Sequence, residues 1–355
     1  MNKNSHAIFE IDGFRWSSND HPKLFQRLSV ELATGESSMA VWQCYDPHFR
    51  VIDRYAGIAS RGTTLPVIHV WLGYGQDLGE PVFKGLLSHV SRGEMSTTFR
   101  AYDMSYRMRL VQKAEYHKGG DLEIIKKLVE RNALKFQGPE NPLRLEPHKA
   151  MNQDAQTDWQ HAAEVAHDAG LLLWTREDTV FAGYPAKAGE PKRTLTYKKD
   201  FTILRNFDLD FKVPENKMGR PKGVEVRGRG RGGKRLKGSS DEGSRGHEVL
   251  RVKKDLSMHT KARATARAQA QKELDREHAF TISISTLFSE DPRVRDDVRD
   301  TVALNGVGEL FSTARRNDVK VDNKTRGYLA DKVTHEFGPG KLSTMFELYR
   351  DVKES

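Results

Sequence analysis

The sequence predicts an α+β fold that is mainly β, with two related β-units near its ends and an α/β portion between them. The first observation is a seven-residue pattern at residues 96–102 that returns, with four identical residues, at 343–349. Both copies alternate with the period of two that a strand with one buried face requires. The second observation is a pair of helical patterns between the copies. Strands of similar composition can also resemble each other by coincidence, so the duplication is a hypothesis.

Length and composition allow more than one buried core. A chain of 355 residues suggests two or three domains, and 37% hydrophobic residues can fill their cores. No run of 18 apolar residues occurs, and residues 1–6 lack the apolar segment of a signal peptide. The single cysteine, Cys44, excludes an intramolecular disulfide framework. We therefore expect no membrane-spanning segment and synthesis in the cytoplasm.

The N-terminal part, residues 1–113, is predicted to be the first β-unit. A turn at Arg92 and Gly93 leads into the strand at 96–102, where Phe99 lies on the apolar face. Earlier strand patterns occur at residues 7–11, 25–32, 67–72 and 81–90.

Residues 114–185 are predicted to form the α/β portion. Asp121 is a candidate N-cap for a helix that ends at residue 130. A second helix begins at Thr157 or Asp158, and Gly170 ends it. A hairpin follows, with strands at 171–174 and 179–181.

Residues 186–355 are predicted to form the second β-unit, in which Phe346 matches Phe99. This part also holds a strand at 222–226, an alanine-rich helix at 258–276 and a flexible basic loop at 216–246. Alternating alanines in the helix resemble a strand pattern, but the high helix propensity of alanine favours the helix.

The net charge of +9 is concentrated in that loop. Residues 217–237 contain nine Lys or Arg, six Gly and one acid, Glu225. Arginine-glycine segments bind RNA through charge and guanidinium stacking. Residues 213–249 contain no aromatic residue, however, so a solvated basic loop is favoured over sequence-specific recognition. The residues predicted to touch nucleic acid or an acidic partner without specificity are Arg227, Arg229, Arg231, Lys234 and Arg235.

Catalytic and metal motifs are incomplete. Gly228, Gly230 and Gly233 fit the dinucleotide-binding pattern, but a Gly/Ser-rich turn region follows where that site needs a helix. His335 and Glu336 begin a zinc-protease motif that Pro339 breaks. We therefore predict no catalytic, cofactor-binding or metal-binding residues.

The order of several short motifs resembles the phage late control protein D family of tail baseplate hubs. The motifs are V-F-K-G at 82–85, F-R-A-Y-D at 99–103, E-I-I at 123–125, Q-x-x-x-T-D-W at 153–159, K-G-V-E-V at 222–226 and the segment 333–348. Each is weak alone, and the resemblance depends on their order across residues 8–350. The same fold forms the N-terminal hub part of type VI secretion spike proteins.

The resemblance implies two similar β-barrels per chain, with Phe99 and Phe346 inside them. It also implies a homotrimer whose six barrels match a hexameric tail tube above and a trimeric central spike below. Other baseplate proteins would be further partners, and DNA could pass through the lumen without sequence-specific contact. The expected location is the virion tail baseplate or an assembled injection particle.

The sequence therefore predicts a structural baseplate hub of a phage tail or of a phage-derived contractile injection system, and no enzyme. One alternative is a nucleic-acid-binding protein that acts through the Arg/Gly-rich segment. Another is a cell-wall hydrolase, because some tail hubs carry lytic domains.

Overall fold

The computed structural model describes residues 4–48, 50, 51, 53, 65–143, 145, 147–185, 190–204, 224–229, 234–240, 251–254, 260–277, 280–291, 295–305, 326–338 and 341–350. Strands account for 53% of the structure and helices for 18%. The larger sheets are antiparallel. The predicted class, α+β and mainly β, is therefore confirmed.

The N-terminal residues form seven strands of one antiparallel sheet. They are β1 (Ser5–Ile11), β2 (Phe14–Ser17), β3 (Phe25–Ala33), β4 (Met39–Tyr45), β5 (Val67–Tyr74), β6 (Phe83–Arg92) and β7 (Ser96–Asp103). A 3-10 helix, Pro22–Leu24, leads into β3. In β4 the alternate residues Ala40, Trp42 and Cys44 are fully buried, as expected for a strand with one core face. The four strands predicted before β7 are found as β1, β3, β5 and β6.

The middle of the chain forms the α/β portion. Its elements are a 3-10 helix (Met104–Arg109), β8 (Gln112–Gly119), α1 (Asp121–Glu130), β9 (Lys135–Gln137), β10 (His148–Thr157), α2 (Asp158–Asp168), β11 (Leu172–Arg176) and β12 (Thr179–Gly183). Both predicted helices and the predicted β11–β12 hairpin are present. The two-stranded ribbon of β8 and β10 has no counterpart in the sequence analysis.

The predicted helix ends are found at α2, whereas the start of α1 differs from the prediction. At α2, Thr157 Oγ1 accepts from the backbone N–H of Gln160 at 3.2 Å, and Gln160 Oε1 accepts from the N–H of Thr157 at 2.9 Å. Gly170, with φ of +76°, follows the helix end. At α1 the N-cap is Gly120, and Asp121 is the first helical residue. The predicted N-cap role of Asp121 is therefore wrong.

The C-terminal residues add nine strands and one helix among the described residues. They are β13 (Arg193–Thr196), β14 (Phe201–Ile203), β15 (Val224–Arg229), β16 (Arg235–Ser239), β17 (Arg251–Lys254), α3 (Lys261–Glu277), β18 (Phe280–Leu287), β19 (Thr301–Asn305), β20 (Arg326–Gly338) and β21 (Lys341–Arg350). Helix α3 agrees with the predicted alanine-rich helix. Strands β15, β16 and β17 form a small separate sheet.

Strand β20 joins the N-terminal and C-terminal strands into one sheet of 13 strands. Along one edge it pairs with β21; along the other it pairs first with β19 and then with β3. The change of partner coincides with a bulge at Asp331, because Ala330 and Lys332 pair with consecutive residues of β21. A bulge bends a strand and strengthens its twist. One strand therefore belongs to both halves of the sheet.

The repeated sequence pattern occupies matching places in the two halves. Strand β7 closes the hairpin β6–β7 and has β4 on its other side, whereas β21 closes the hairpin β20–β21 and has β18 there. Phe99 pairs with Val90 across the first hairpin, and Phe346 pairs with Val333 across the second. Both phenylalanines are buried. The two hairpins thus have the same local topology.

The main apolar core is continuous across both halves, with members from β1 to β21, and a second core fills the α/β portion. Among the described strands, the ladders follow an open path from β14 to β2, and no pairing closes either half. The two separate β-barrels and the domain boundaries near residues 113 and 185 stay predictions.

Candidate functional site

The Arg/Gly-rich segment forms a small sheet where the sequence predicts a flexible loop. Strands β15 and β16 pair antiparallel, and β17 runs parallel to β15 on its other side. The register places Arg227 opposite Lys237 and Lys254, and Arg229 opposite Arg235. Because directly paired residues share a face, five basic positions fall on one face, here called the basic face. The loop prediction is wrong for residues 227–229 and 235–239, whereas the strand predicted at 222–226 is found over its described residues, 224–226.

Glu225 is the only acidic residue in the sequence of these three strands, and it lies on the basic face. Its side chain is buried and accepts from Arg227 Nε and Lys237 Nζ, both at 2.6 Å. Burial alone would raise the pKa of Glu225, but the hydrogen bonds from Lys237 and Arg227 lower it. The side chains of Arg227 and Lys237 are 55% and 63% exposed. Glu225 therefore fixes the side chains of Arg227 and Lys237 while both remain exposed to solvent.

The structure locates four of the five basic residues that the sequence singled out. Arg227, Lys234 and Arg235 are exposed. The backbone of Arg229 pairs with that of Arg235. Arg231 lies outside the described residues.

The opposite face of the small sheet packs against α3. Val226, Ala264 and Ala268 are fully buried and form one apolar cluster. The approach is closest at Gly238, where a Cβ atom would lie 2.2 Å from the backbone of Ala264. Glycine is therefore required at position 238, because any side chain there would push the helix away.

Two buried arginines of α3 fasten the helix to the α/β portion. Arg263 donates to both carboxylate oxygens of Asp121, at 2.7 and 3.0 Å, and His148 Nε2 lies 2.8 Å from the same carboxylate. Burial alone would raise the pKa of Asp121, but the hydrogen bonds from His148 and Arg263 lower it. Arg267 donates to the carbonyl oxygen of His167 near the end of α2. Helix α3 thus connects the small basic sheet to the middle of the chain.

The Q-x-x-x-T-D-W motif is a buried polar network. Asp158 accepts from Arg131 Nε and from Asn132 Nδ2, both at 2.7 Å. Gln153 donates to Asp158 at 3.1 Å and lies 2.9 Å from His117 of β8. Burial alone would raise the pKa of Asp158, but these hydrogen bonds hold it well below its usual range. The network links α1, α2 and the β8–β10 ribbon. The sequence alone identifies the motif but does not predict this structural role.

A cleft of about 480 Å³ lies where β6, the β11–β12 hairpin and the C-terminal part meet. Ion pairs connect its walls: Arg176 Nε lies 2.5 Å from Asp297, and Arg193 Nη1 lies 2.6 Å from Asp296. Lys192 Nζ also lies 2.7 Å from Asp300. The arrangement is therefore a salt-bridged joint between three parts of the chain.

Two groups of this joint have shifted pKa values. Burial raises the pKa of Asp296 to about 6, although Arg193 acts in the opposite direction. Burial lowers the pKa of His335 to about 4, and its ring nitrogens lie 3.0 Å from Thr344 Oγ1 and 3.3 Å from the carbonyl oxygen of Asp296. His335 is therefore neutral at pH 7, and it bonds across the joint.

In the described part of the chain, no three or more His, Cys, Asp or Glu side chains are grouped so that they could hold a metal ion. No helix in the same residues is both long enough and apolar enough to cross a membrane. Cys44 is buried, and burial raises its pKa to about 12, which keeps it a neutral thiol.

Sequence comparison gives one partial match. A family model described as the Alg8 N-terminal domain matches residues 62–213, which is less than half of the chain. No curated protein sequence matches significantly.

Solved structures match over nearly the whole chain. A tail protein from Neisseria meningitidis has a TM-score of 0.68 at 14% identity, covering 98% of this chain and 97% of that one. A 43 kDa tail protein from a prophage of Shewanella oneidensis has a TM-score of 0.65 at 10% identity, with 98% of both chains covered. This chain has the fold of phage tail proteins. The resemblance read from the sequence is confirmed at the level of fold.

The phage tail fold extends to a secretion machine. A component of the type VI secretion system of E. coli, described as structurally similar to the bacteriophage tail proteins gp27 and gp5, matches with a TM-score of 0.57. The identity is 8%, and the match covers 98% of this chain and 77% of that one. At such identities the likeness is one of fold.

Proposed function

We propose that this chain is a structural hub of a phage tail or of a phage-derived contractile injection system. The observation that carries the proposal is the phage tail fold, which extends over 98% of the chain in two independent comparisons. The hub acts by assembly and has no catalytic step. It resides in the tail baseplate of the virion or in the assembled injection particle, together with other baseplate proteins.

Each half of the sheet corresponds to one β-barrel in this proposal, and three chains form a ring of six barrels. The matching hairpins β6–β7 and β20–β21, with a buried Phe opposite a Val in each, support the duplication. Such a ring presents a pseudo-sixfold face to a hexameric tail tube and a threefold face to a trimeric spike. Contacts around the ring are heterologous and close after three subunits.

In this proposal, exposed apolar side chains on and just before β8, here called the ribbon surface, supply a subunit contact. Tyr116 of β8 is 74% exposed, and Val111 and Leu110 just before β8 are 58% and 51% exposed. The three lie within seven residues of the chain, and exposed apolar patches mark interaction sites more often than single scattered residues do. We assign this surface to contact with a second copy of the chain in the ring.

Native mass measurement of the chain co-expressed with its spike protein tests the hub. The expected result is a complex of three hubs and three spikes that also binds the tube protein. The second candidate function, a nucleic-acid-binding protein, is favoured only by the basic face. It predicts a stable monomer that ignores tube and spike proteins but binds RNA or DNA at physiological salt, and this result would end the hub proposal.

Paired variants locate the contact. Val111→Glu with Tyr116→Glu places two charges on the ribbon, so we expect the trimer to dissociate while the subunit keeps its melting temperature. The control is Met95→Glu with Leu287→Glu, which changes the net charge equally. Met95 at the β6–β7 turn and Leu287 at the end of β18 are exposed apolar residues outside the β8–β10 ribbon. A ribbon variant that still assembles would move the contact elsewhere and leave the hub proposal intact.

A further inference from the structure

We propose that the basic face of the β15–β17 sheet binds the phosphate backbone of duplex DNA without sequence preference. This binding is separate from hub assembly, because the ribbon surface assigned to subunit contact belongs to different strands.

The spacing of the basic positions suits a polyanion. Alternate residues on one strand face lie about 7 Å apart, and neighbouring strands lie about 5 Å apart. The five basic positions of the register therefore fall within a patch of about 7 by 10 Å. Duplex DNA carries one charge per ~1.7 Å of its axis, so such a patch meets several phosphates at once. The buried Glu225 contributes one negative charge beside three exposed basic side chains of this face, which are Arg227, Arg235 and Lys237.

Glu225 also orients the donors. Its carboxylate binds Arg227 through Nε, so the two terminal nitrogens of the guanidinium stay on the exposed side. These nitrogens can make the two parallel hydrogen bonds that a phosphate accepts from arginine. Lys237 is held through one of its three ammonium protons. Both side chains are thus arranged before the ligand arrives, which lowers the entropy cost of binding.

The composition of the sheet favours the backbone of a duplex over bases or single strands. Its three strands contain no aromatic residue on which an unpaired base could stack. They also contain no Asn or Gln, the usual readers of adenine edges. The opposite face is covered by α3, so the contact is one flat, positively charged surface.

The test measures anisotropy of two labelled duplexes of unrelated sequence, with the full chain, between ~50 and ~200 mM salt. The double variant Arg227→Gln with Arg235→Gln removes two positive charges from the basic face. The control, Lys23→Gln with Lys126→Gln, removes two exposed positive charges elsewhere and changes the net charge equally. Each lost phosphate contact makes the negative slope of log K against log salt less steep by about 0.9. We expect the first double variant to lose about 1.8 from the slope for both duplexes, and the control to lose little.

Three results would overturn the inference. One is absence of binding by the unaltered chain at the lowest salt. Another is an equal loss in both double variants, because binding would then follow net charge alone. The third is displacement of the duplex by poly-glutamate as effectively as by unlabelled DNA at equal charge, which would assign the basic face to an acidic protein surface. The melting temperature and the hub–spike mass of each variant, measured in the same preparations, separate a failure here from a failure of folding or of the hub proposal.

Discussion

The main sheet relies on an apolar core, whereas the α/β portion adds a buried polar network around Asp158 to an apolar core of its own. In the sheet, the ring of Trp42 lies 4.5 Å from Phe9 and 5.4 Å from Phe99 between centroids. In the α/β portion, buried Asp158 is surrounded by hydrogen-bond donors, chiefly Arg131. Apolar contacts add up and do not depend on protonation, whereas a buried ion pair depends on both partners and on pH. The apolar core of the sheet and the polar network should therefore respond differently to mutation and to pH.

The largest expected effect is in the sheet. Phe99→Ala should lower the free energy of unfolding by about 4 kcal/mol, because it leaves a cavity in a closely packed aromatic cluster. Met95→Ala, four residues earlier on the same hairpin but 54% exposed, should change it by no more than about 0.5 kcal/mol. Urea unfolding at one fixed protein concentration compares them. Similar losses in the two variants would show that the aromatic cluster is not a main source of stability.

The next largest effect is expected in the polar network around Asp158. Asp158→Ala should cost about 3 kcal/mol, because it leaves the charge of Arg131 partly buried without its main partner. Replacing both residues, as Asp158→Leu with Arg131→Met, should cost clearly less than the single change. Urea unfolding again provides the measurement. In the sheet no such recovery is expected, so a double variant that costs more than the single one would contradict the comparison.

The smallest effect concerns pH at the joint. The folded pKa of Asp296, about 6, lies above the ~3.9 of an unfolded chain, so its ionisation opposes folding above pH 6 and is relieved as the pH falls towards 4. Asp296→Asn should therefore stabilise the protein at pH 7.5 by about 2–3 kcal/mol, and the gain should nearly vanish at pH 4.

Asp158 responds in the opposite direction. The folded pKa of Asp158 is depressed, so its contribution to stability is present above the unfolded pKa and is lost as the pH falls below about 4.

Thermal melts of the unaltered chain and of Asp296→Asn from pH 7.5 to 4 test the prediction for the joint, and Phe99→Ala serves as a variant with a pH-independent cost. A stabilisation by Asp296→Asn that stayed constant from pH 7.5 to 4 would contradict the assignment.

The sequence predicts elements well where they repeat locally. The alternation around Phe99 and the cap at Thr157 identify a strand and a helix because neighbouring residues carry the signal. The pairing of β20 with β3 leaves no such trace, because it joins residues about 300 positions apart. The periodicity of apolar residues also does not predict the Asp158 network. A single polar residue is recognised as buried only when its hydrogen-bond partners on other elements are known.

The candidate site was predictable in charge but not in form. The Arg/Gly composition identifies a basic segment, yet glycine weakens strand propensity and made the hairpin look like a loop. What stabilises the hairpin is distant in sequence: β17 beside it and α3 behind it. Arg263 and Arg267 were equally hidden, because arginine in an alanine-rich helix is normally a solvent-facing residue.

Strand β20 also sets the time at which the chain can finish folding. Ala33 of β3 must wait for Lys332 of β20, roughly 300 residues later. A ribosome adding ~5–20 residues per second needs about 15–60 s to deliver it. Until then, one edge of β3 has no partner and can template pairing with another nascent chain. A chain broken off before β20 keeps that edge open, so we expect it to pair with other chains instead of completing its own sheet.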